Sequence, residues 1–345
     1  MDYQFQFNVI WQNWDLFLKG VWLTIRITSI ATVLGLILGM IMAGVLGIEC
    51  VSIYHTDFAA QAEYIFKDEG LAGFIQSFIN RFYAFSTHIK VPTQEYIDIL
   101  ARQNYHVEKM SIFKRGYTPQ EMNTSDSWRA AFEKENHIKP GFTLMWAGRV
   151  SKDKNIEFLI DVYKKTLAQI PDLNLVICGD GPDLEDFKTV CSGYDRIHMI
   201  GYVENDKLQD YYQMSDMFVF PSTTDTFGMV ILEAQAKGLF SLVTDVGGPQ
   251  EIIENHKTGQ VLSLSNLNAW VEKIKDIYTM KAETPDEFIR MRHACHEQIL
   301  RKFNWDDALM DILGEQEETA LLAGNDLNSH EPEAFNVEEA KKVVA

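Results

Sequence analysis

The residues of this chain that can do chemistry gather at the ends of short apolar runs. The run 143–147 leads into Gly148 and Arg149, and Lys154 lies five residues beyond the arginine. Two cations so placed can neutralise a diphosphate. The run 174–178 ends in Gly179-Asp180-Gly181-Pro182, a tight-turn signature. The run 197–201 passes into Tyr202 and Val203, where backbone groups can meet a flat base. The run 217–220 ends in Pro221-Ser222 and continues through Asp225, Thr226 and Phe227 to Gly228 and Met229, where a helical stretch carrying Glu233 begins. Gly228 lets a backbone N–H approach an anion, and the helix start behind it adds the positive end of its dipole. The run 240–244 leads to Gly247-Gly248-Pro249, with a further helix start expected at Glu251. Asp225 in a loop and Glu233 on a helix can accept hydrogen bonds from different hydroxyls of one sugar nucleotide. Singly, each feature has an ordinary reading as a solvated charge or a turn. Their order and spacing set them apart.

The positioning elements follow from the same runs. From about residue 141 to 304, apolar runs bounded by turn residues alternate with amphipathic stretches at 156–169, 206–212 and 267–278. That alternation predicts an α/β fold with a parallel, doubly wound sheet, whose ligands sit at the carboxyl ends of the strands. Residues 49–138 read as a smaller α/β segment, with strands at 51–54 and 85–91 and helices around 59–82 and 93–103. A chain of 345 residues accommodates two such domains. The net charge of −18 argues against nucleic-acid binding. Cys50, Cys178, Cys191 and Cys295 are far apart and form no C-x-x-C pair, so neither a zinc site nor a disulfide framework is expected.

The segments "AGRVSKDKN", "CGDGP", "GYV", "FVFPSTTDTFGMVILEAQAKG" and "VTDVGGPQEII" resemble the donor domain of family-4 retaining glycosyltransferases, which have the GT-B fold of two facing Rossmann-like domains. The resemblance runs from about residue 49 to 313. It implies a complete carboxyl-terminal Rossmann-like domain at 139–304, a crossover helix at 305–315 and a partial amino-terminal Rossmann-like domain at 49–138. In the family two carboxylates separated by seven residues mark the site; here they are Asp225, where glutamate is usual, and Glu233. By resemblance, Arg149 and Lys154 would bind the diphosphate and stabilise the leaving group. Asp225, Thr226 and the Phe227–Gly228–Met229 backbone would hold the donor sugar beside Gly148. Glu233 would bind the ribose, Tyr202 and Val203 would pack on the base, and His55 would face the sugar from the other domain. The implied reaction is retaining transfer from a UDP- or GDP-linked sugar to a lipid or glycan hydroxyl, with fixed cations in the place of a metal and no cofactor.

Residues 1–48 are of another kind. An aromatic-rich lead precedes an uncharged, mostly aliphatic run at 27–48, about the length of a membrane-spanning helix. Residues 1–46 resemble the first helix of amino-acid ABC-transporter permeases. Membrane attachment through residues 20–48 is therefore expected, with the catalytic part in the cytoplasm, where nucleotide sugars are. Lys19 and Arg26 before the run point to the opposite orientation by the positive-inside rule. Set against the family, the first strands and glycine-rich loop of the amino-terminal domain have no counterpart, so the chain reads as a chimera whose activity the truncation puts in question. A non-catalytic nucleotide-sugar binding remnant and a permease fragment are the competing readings, and the absence of further apolar spans weighs against the latter. The acidic stretch 316–345 is expected to be a disordered tail.

Overall fold

The computed structural model describes residues 45–105, 107–123 and 125–308, with positions 18, 19, 22–24, 26–28, 31, 34, 35, 38, 39 and 42. Ten of the 22 positions of the expected membrane helix at 27–48 lie outside the described residues, and among those described no helix is long and apolar enough to cross a membrane. The expected tail and most of the crossover helix also lie outside them; residues 305–308 are helical.

The first part is a three-stranded parallel sheet, β1 (Val51–Ile53), β2 (His88–Val91) and β3 (Met110–Ile112), in that spatial order. Helices α1 (Phe58–Phe66) and α2 (Glu69–Ala84) join β1 to β2, and α3 (Gln94–Arg102) joins β2 to β3. The sequence suggested helical patterns around 59–82. The chain breaks there because Lys67 turns to φ 51° and Asp68 caps α2, accepting from Gly70 N at 2.9 Å and Leu71 N at 3.0 Å. Right-handed crossovers that advance in one direction put α2 and α3 on the same face of the sheet. Tyr54, Ile89, Val91, Tyr96, Leu100 and Tyr105 form the small core on that face. Among the described residues β1 is an edge strand, and its Val51 and Ile53 are 46% and 40% exposed.

The second part opens with α4 (Asp126–Glu135). It alternates β4 (Phe142–Ala147), α5 (Ile156–Leu167), β5 (Leu173–Cys178), α6 (Leu184–Cys191), β6 (Ile197–Gly201), α7 (Asn205–Met214), β7 (Met217–Phe220), α8 (Met229–Ala236) and β8 (Phe240–Thr244). Strand β9 (Gly259–Leu262) and helices α9 (Leu267–Glu283) and α10 (Pro285–Lys302) close it. The strands are parallel in the order β6-β5-β4-β7-β8-β9, so the winding reverses between β4 and β7. Every residue of β4, β5, β7 and β8 is buried, which is why these strands read as unbroken apolar runs rather than alternating ones. The helix start expected at Glu251 is instead the last residue of a 3-10 turn, Gly248–Glu251. The turn stops because Ile252 and Ile253 fold back into the core and Thr258 Oγ1 accepts from Glu254 N at 3.0 Å.

A buried ion cluster fixes the amino ends of the strands. Asp216, at 0% exposure, accepts from Arg129 at 2.7 and 3.0 Å, from Lys281 at 2.6 Å and from Thr143 N at 2.8 Å. Burial alone would raise its carboxyl, but the Arg129 and Lys281 charges prevail and bring it down to about 2. A cavity of about 540 Å³ beside this cluster, walled by Trp128 and Phe288, lies at the end of the sheet opposite the residues considered next.

Candidate active site

Three strand ends form a shelf without side chains. Gly148 N donates to Cys178 O at 3.0 Å, and Gly179 N donates to Gly201 O at 2.7 Å. A Cβ on Gly179, at φ 143°, would lie 1.8 Å from Gly148 O, so only glycine allows β4 and β5 to end this close together. Beyond the shelf Tyr202 is 75% exposed, while Val203 packs against the core.

Across the winding reversal, the loop after β7 carries the carboxylate. Asp225 accepts from Lys154 Nζ at 2.8 Å and also pairs with the Ser222 hydroxyl. Lys154 Nζ reaches Thr224 Oγ1 at 3.1 Å. Asn155, in the left-handed conformation at φ 55°, ends the 3-10 turn holding Lys154 and donates to Pro221 O at 2.9 Å, which ties the β4 loop to the β7 loop. Arg149 Nη2 lies 3.3 Å from Asp153 Oδ2, and Asp153 also accepts from Thr224 Oγ1 at 3.0 Å. Burial raises the Asp153 carboxyl, but hydrogen bonds from Ser151 and Thr224 and the charges of Lys154 and Arg149 together hold it below the ordinary range. Both cations are thus already paired with carboxylates, and an arriving diphosphate would share or displace those partners.

Gly228 caps α8 at φ 101°, a conformation that only glycine adopts without strain. It leaves the first-turn N–H groups of α8 at the strand ends, where they suit an anion. Glu233 lies in the second turn of α8, half-buried, and accepts from Tyr212 Oη at 2.9 Å. Burial raises its carboxyl above the ordinary glutamate range, and the tyrosine hydrogen bond offsets part of that. Phe227 turns inward against Phe303 at 6.1 Å, with the Arg115 guanidinium 5.4 Å from its ring centroid.

The two parts meet at this loop. Thr226 Oγ1 donates to His55 O at 2.9 Å, so His55 stands at the 225–228 loop with its imidazole exposed. Thr226 O accepts from Thr93 Oγ1 at 3.2 Å, and the Glu251 carboxylate caps α3 by accepting from Gln94 N at 3.1 Å and Glu95 N at 2.5 Å. Sequence reasoning missed Asp153, Thr93 and this role of Glu251. The preference for Thr at a helix N-cap was the signal available at Thr93. Of the expected residues, Lys154, Asp225, Thr226 and His55 are linked by direct bonds or through neighbours in the chain. Gly148, Arg149, Tyr202, Val203, Phe227, Gly228, Met229 and Glu233 surround them at the same carboxyl-terminal edge. Among the described residues no group of three or more His, Cys, Asp or Glu is placed to hold a metal ion.

Residues 129–294 match the family described as glycosyl transferases group 1. The phosphatidylinositol N-acetylglucosaminyltransferase gpi3 subunit of Schizosaccharomyces pombe is 36% identical over 123 residues, 35% of this chain and 27% of that protein. Sulfoquinovosyl transferase SQD2 of Arabidopsis thaliana is 25% identical over 227 residues, 65% of this chain and 43% of its own. The chain thus spans less than half the length of these two curated relatives. The solved structure of Anabaena Alr3699/HepE in complex with UDP and glucose shares the fold with a TM-score of 0.67, over 82% of this chain and 75% of that one, at 16% identity. Residues 129–294 therefore carry the glycosyl transferases group 1 pattern, on an α/β fold of the GT-B kind.

Proposed function

We propose that the chain transfers a sugar from a UDP- or GDP-linked donor to a hydroxyl of a lipid or glycan, with retention at the anomeric carbon. The observation that carries this reading is the convergence of Lys154, Asp225, the Gly228 helix start and Glu233 at the reversal point of one parallel sheet. In this account the diphosphate lies between Lys154, Arg149 and the N–H groups of α8. Glu233 accepts from the ribose, Tyr202 and Val203 border the base, and Asp225 with Thr226 accepts from hydroxyls of the donor sugar. The bond from the anomeric carbon to the diphosphate oxygen breaks, the acceptor oxygen bonds to the same face, and its proton passes to the departing phosphate. The cations stabilise the charge that develops on the diphosphate, and preorganised groups of this kind commonly supply the largest share of a rate enhancement. His55 flanks the transferring sugar.

Both curated relatives described above are named as transferases, one of them for phosphatidylinositol, which favours a lipid acceptor. Residues 20–48 serve as the membrane attachment, and the catalytic part works on the cytoplasmic side. The test is proton NMR of the product formed from an α-linked nucleotide sugar and a lipid acceptor. An α-anomer supports retention. A β-anomer contradicts it, and binding of the donor without any product leaves the chain as a non-catalytic binder.

A further inference from the structure

Exposed apolar side chains are unevenly distributed. On α2, Phe74 and Phe78 are 69% and 54% exposed; Phe85 just beyond the helix is 56% exposed, and so is Phe58 at the start of α1, at 54%. Phe74, Phe78 and Phe85, spaced by four and seven, fall on one side of α2. Between α1 and α2 lies a cavity of about 520 Å³ lined by Phe58, Gln61, Ala62, Ile75, Phe78, Ile79, Phe82 and Tyr83. Its lining offers only two polar side chains, and one of them, Tyr83 Oη, already donates to Ile53 O at 3.3 Å. A surface of this kind offers too few polar groups to hydrogen-bond a sugar or a phosphate. What it can hold is hydrocarbon.

Its position gives the hydrocarbon a purpose. Phe58, at the mouth of the cavity, follows His55 by three residues, a span of at most about 10 Å of chain. The His55 carbonyl is bonded to Thr226 in the donor-side loop. We propose that the α1–α2 groove seats an acyl chain of the acceptor, with the acceptor's head group, and the hydroxyl to be glycosylated, held at His55 and Thr226. This rests on the transferase reading above and narrows its acceptor to a lipid. Recognition is then split: the donor is held by charges and backbone N–H groups, the acceptor by the length of its tail.

The experiment measures binding of octanoyl, dodecanoyl and hexadecanoyl monoacylglycerols to the full chain by displacement of a fluorescent fatty acid, alongside a UDP and GDP titration of the same protein. Burial of hydrocarbon is worth about fourfold in affinity per methylene at the limit. Affinity should therefore rise by at least about tenfold from octanoyl to dodecanoyl. Phe78→Glu and, separately, Phe58→Ser, both at exposed positions of the mouth, should weaken acyl binding by at least about tenfold while leaving thermal unfolding and nucleotide affinity unchanged. The inference is overturned by acyl binding that ignores chain length, by acyl binding that both variants retain, or by a dimer in gel filtration that Phe78→Glu dissociates, which would make the groove a contact between copies. Failure of nucleotide binding with chain-length-dependent acyl binding would sink the transferase reading and leave a lipid site. Nucleotide binding without acyl binding would sink the groove alone.

Discussion

Gly248 has no side chain, yet it controls the 225–228 loop, where the proposed donor site lies. A Cβ added there would lie 2.0 Å from Thr226 O and 2.9 Å from Phe227 Cα. Both are backbone atoms, so no rotamer relieves the clash. Since real Cβ contacts essentially never fall below 3.0 Å, the 247–251 turn and the 225–228 loop must part by at least about 1 Å in Gly248→Ala. One bond crosses that boundary, Gly248 N to Asp225 O at 3.0 Å, and two more tie the displaced loop to the first part of the chain, Thr226 Oγ1 to His55 O at 2.9 Å and Thr93 Oγ1 to Thr226 O at 3.2 Å. A misplacement of about 1 Å at reacting groups costs on the order of a hundredfold in rate, or about 2.7 kcal/mol. Gly248→Ala should lower kcat/KM by about that factor, measured by coupled detection of released nucleoside diphosphate. Gly193→Ala serves as the control, because no atom lies within 4 Å of a Cβ there. A folded Gly248→Ala protein with unaltered turnover and UDP affinity would refute the placement of the donor site in this loop.

Lys154→Ala removes the cation nearest Asp225 and should lower kcat by about 10²–10³-fold, as loss of one charge-stabilising donor generally does; steady-state kinetics with saturating donor check it. Ionised Glu233 can accept from both ribose hydroxyls, more strongly than the protonated acid can, and burial raises its carboxyl. Affinity for a nucleotide sugar, whose diphosphate does not titrate in this range, should therefore fall as pH drops, beginning above the ordinary glutamate range. The step should vanish in Glu233→Gln, and titrations at several pH values would show it. Asp216→Asn leaves the Arg129 and Lys281 charges facing each other and should cost about 3 kcal/mol in urea unfolding, at the low end for a broken buried pair because Lys281 is partly solvated. UDP affinity of the folded variant should not change.

The second part was legible because β4, β5, β7 and β8 are buried on both faces and because β4, β5 and β6 end at or beside Gly148, Gly179 and Gly201. The runs at 197–201, 217–220 and 240–244 coincide with β6, β7 and β8. Strand β9 escaped notice because Gly259 and Gln260 carry no strand signal of their own; pairing of Leu242 with Gln260 and Val243 with Val261 on β8 makes it a strand. The break between α1 and α2 had a readable cap in Asp68, which the reading of helical patterns around 59–82 did not use. Asp225 and Glu233 could be named as candidates because the motif holding them is local. The Glu251 cap on α3 could not, since 157 residues separate Glu251 from Gln94 and only the meeting of the two sheets brings them together.

The central claim is that the edge defined by Lys154, Asp225, Gly228 and Glu233 binds a nucleoside diphosphate. Calorimetric titration of the full chain with UDP, GDP and ADP, without added metal, tests it directly. The account predicts that UDP or GDP binds at one site and that Lys154→Ala weakens the binding. Absence of binding by all three nucleotides would contradict it.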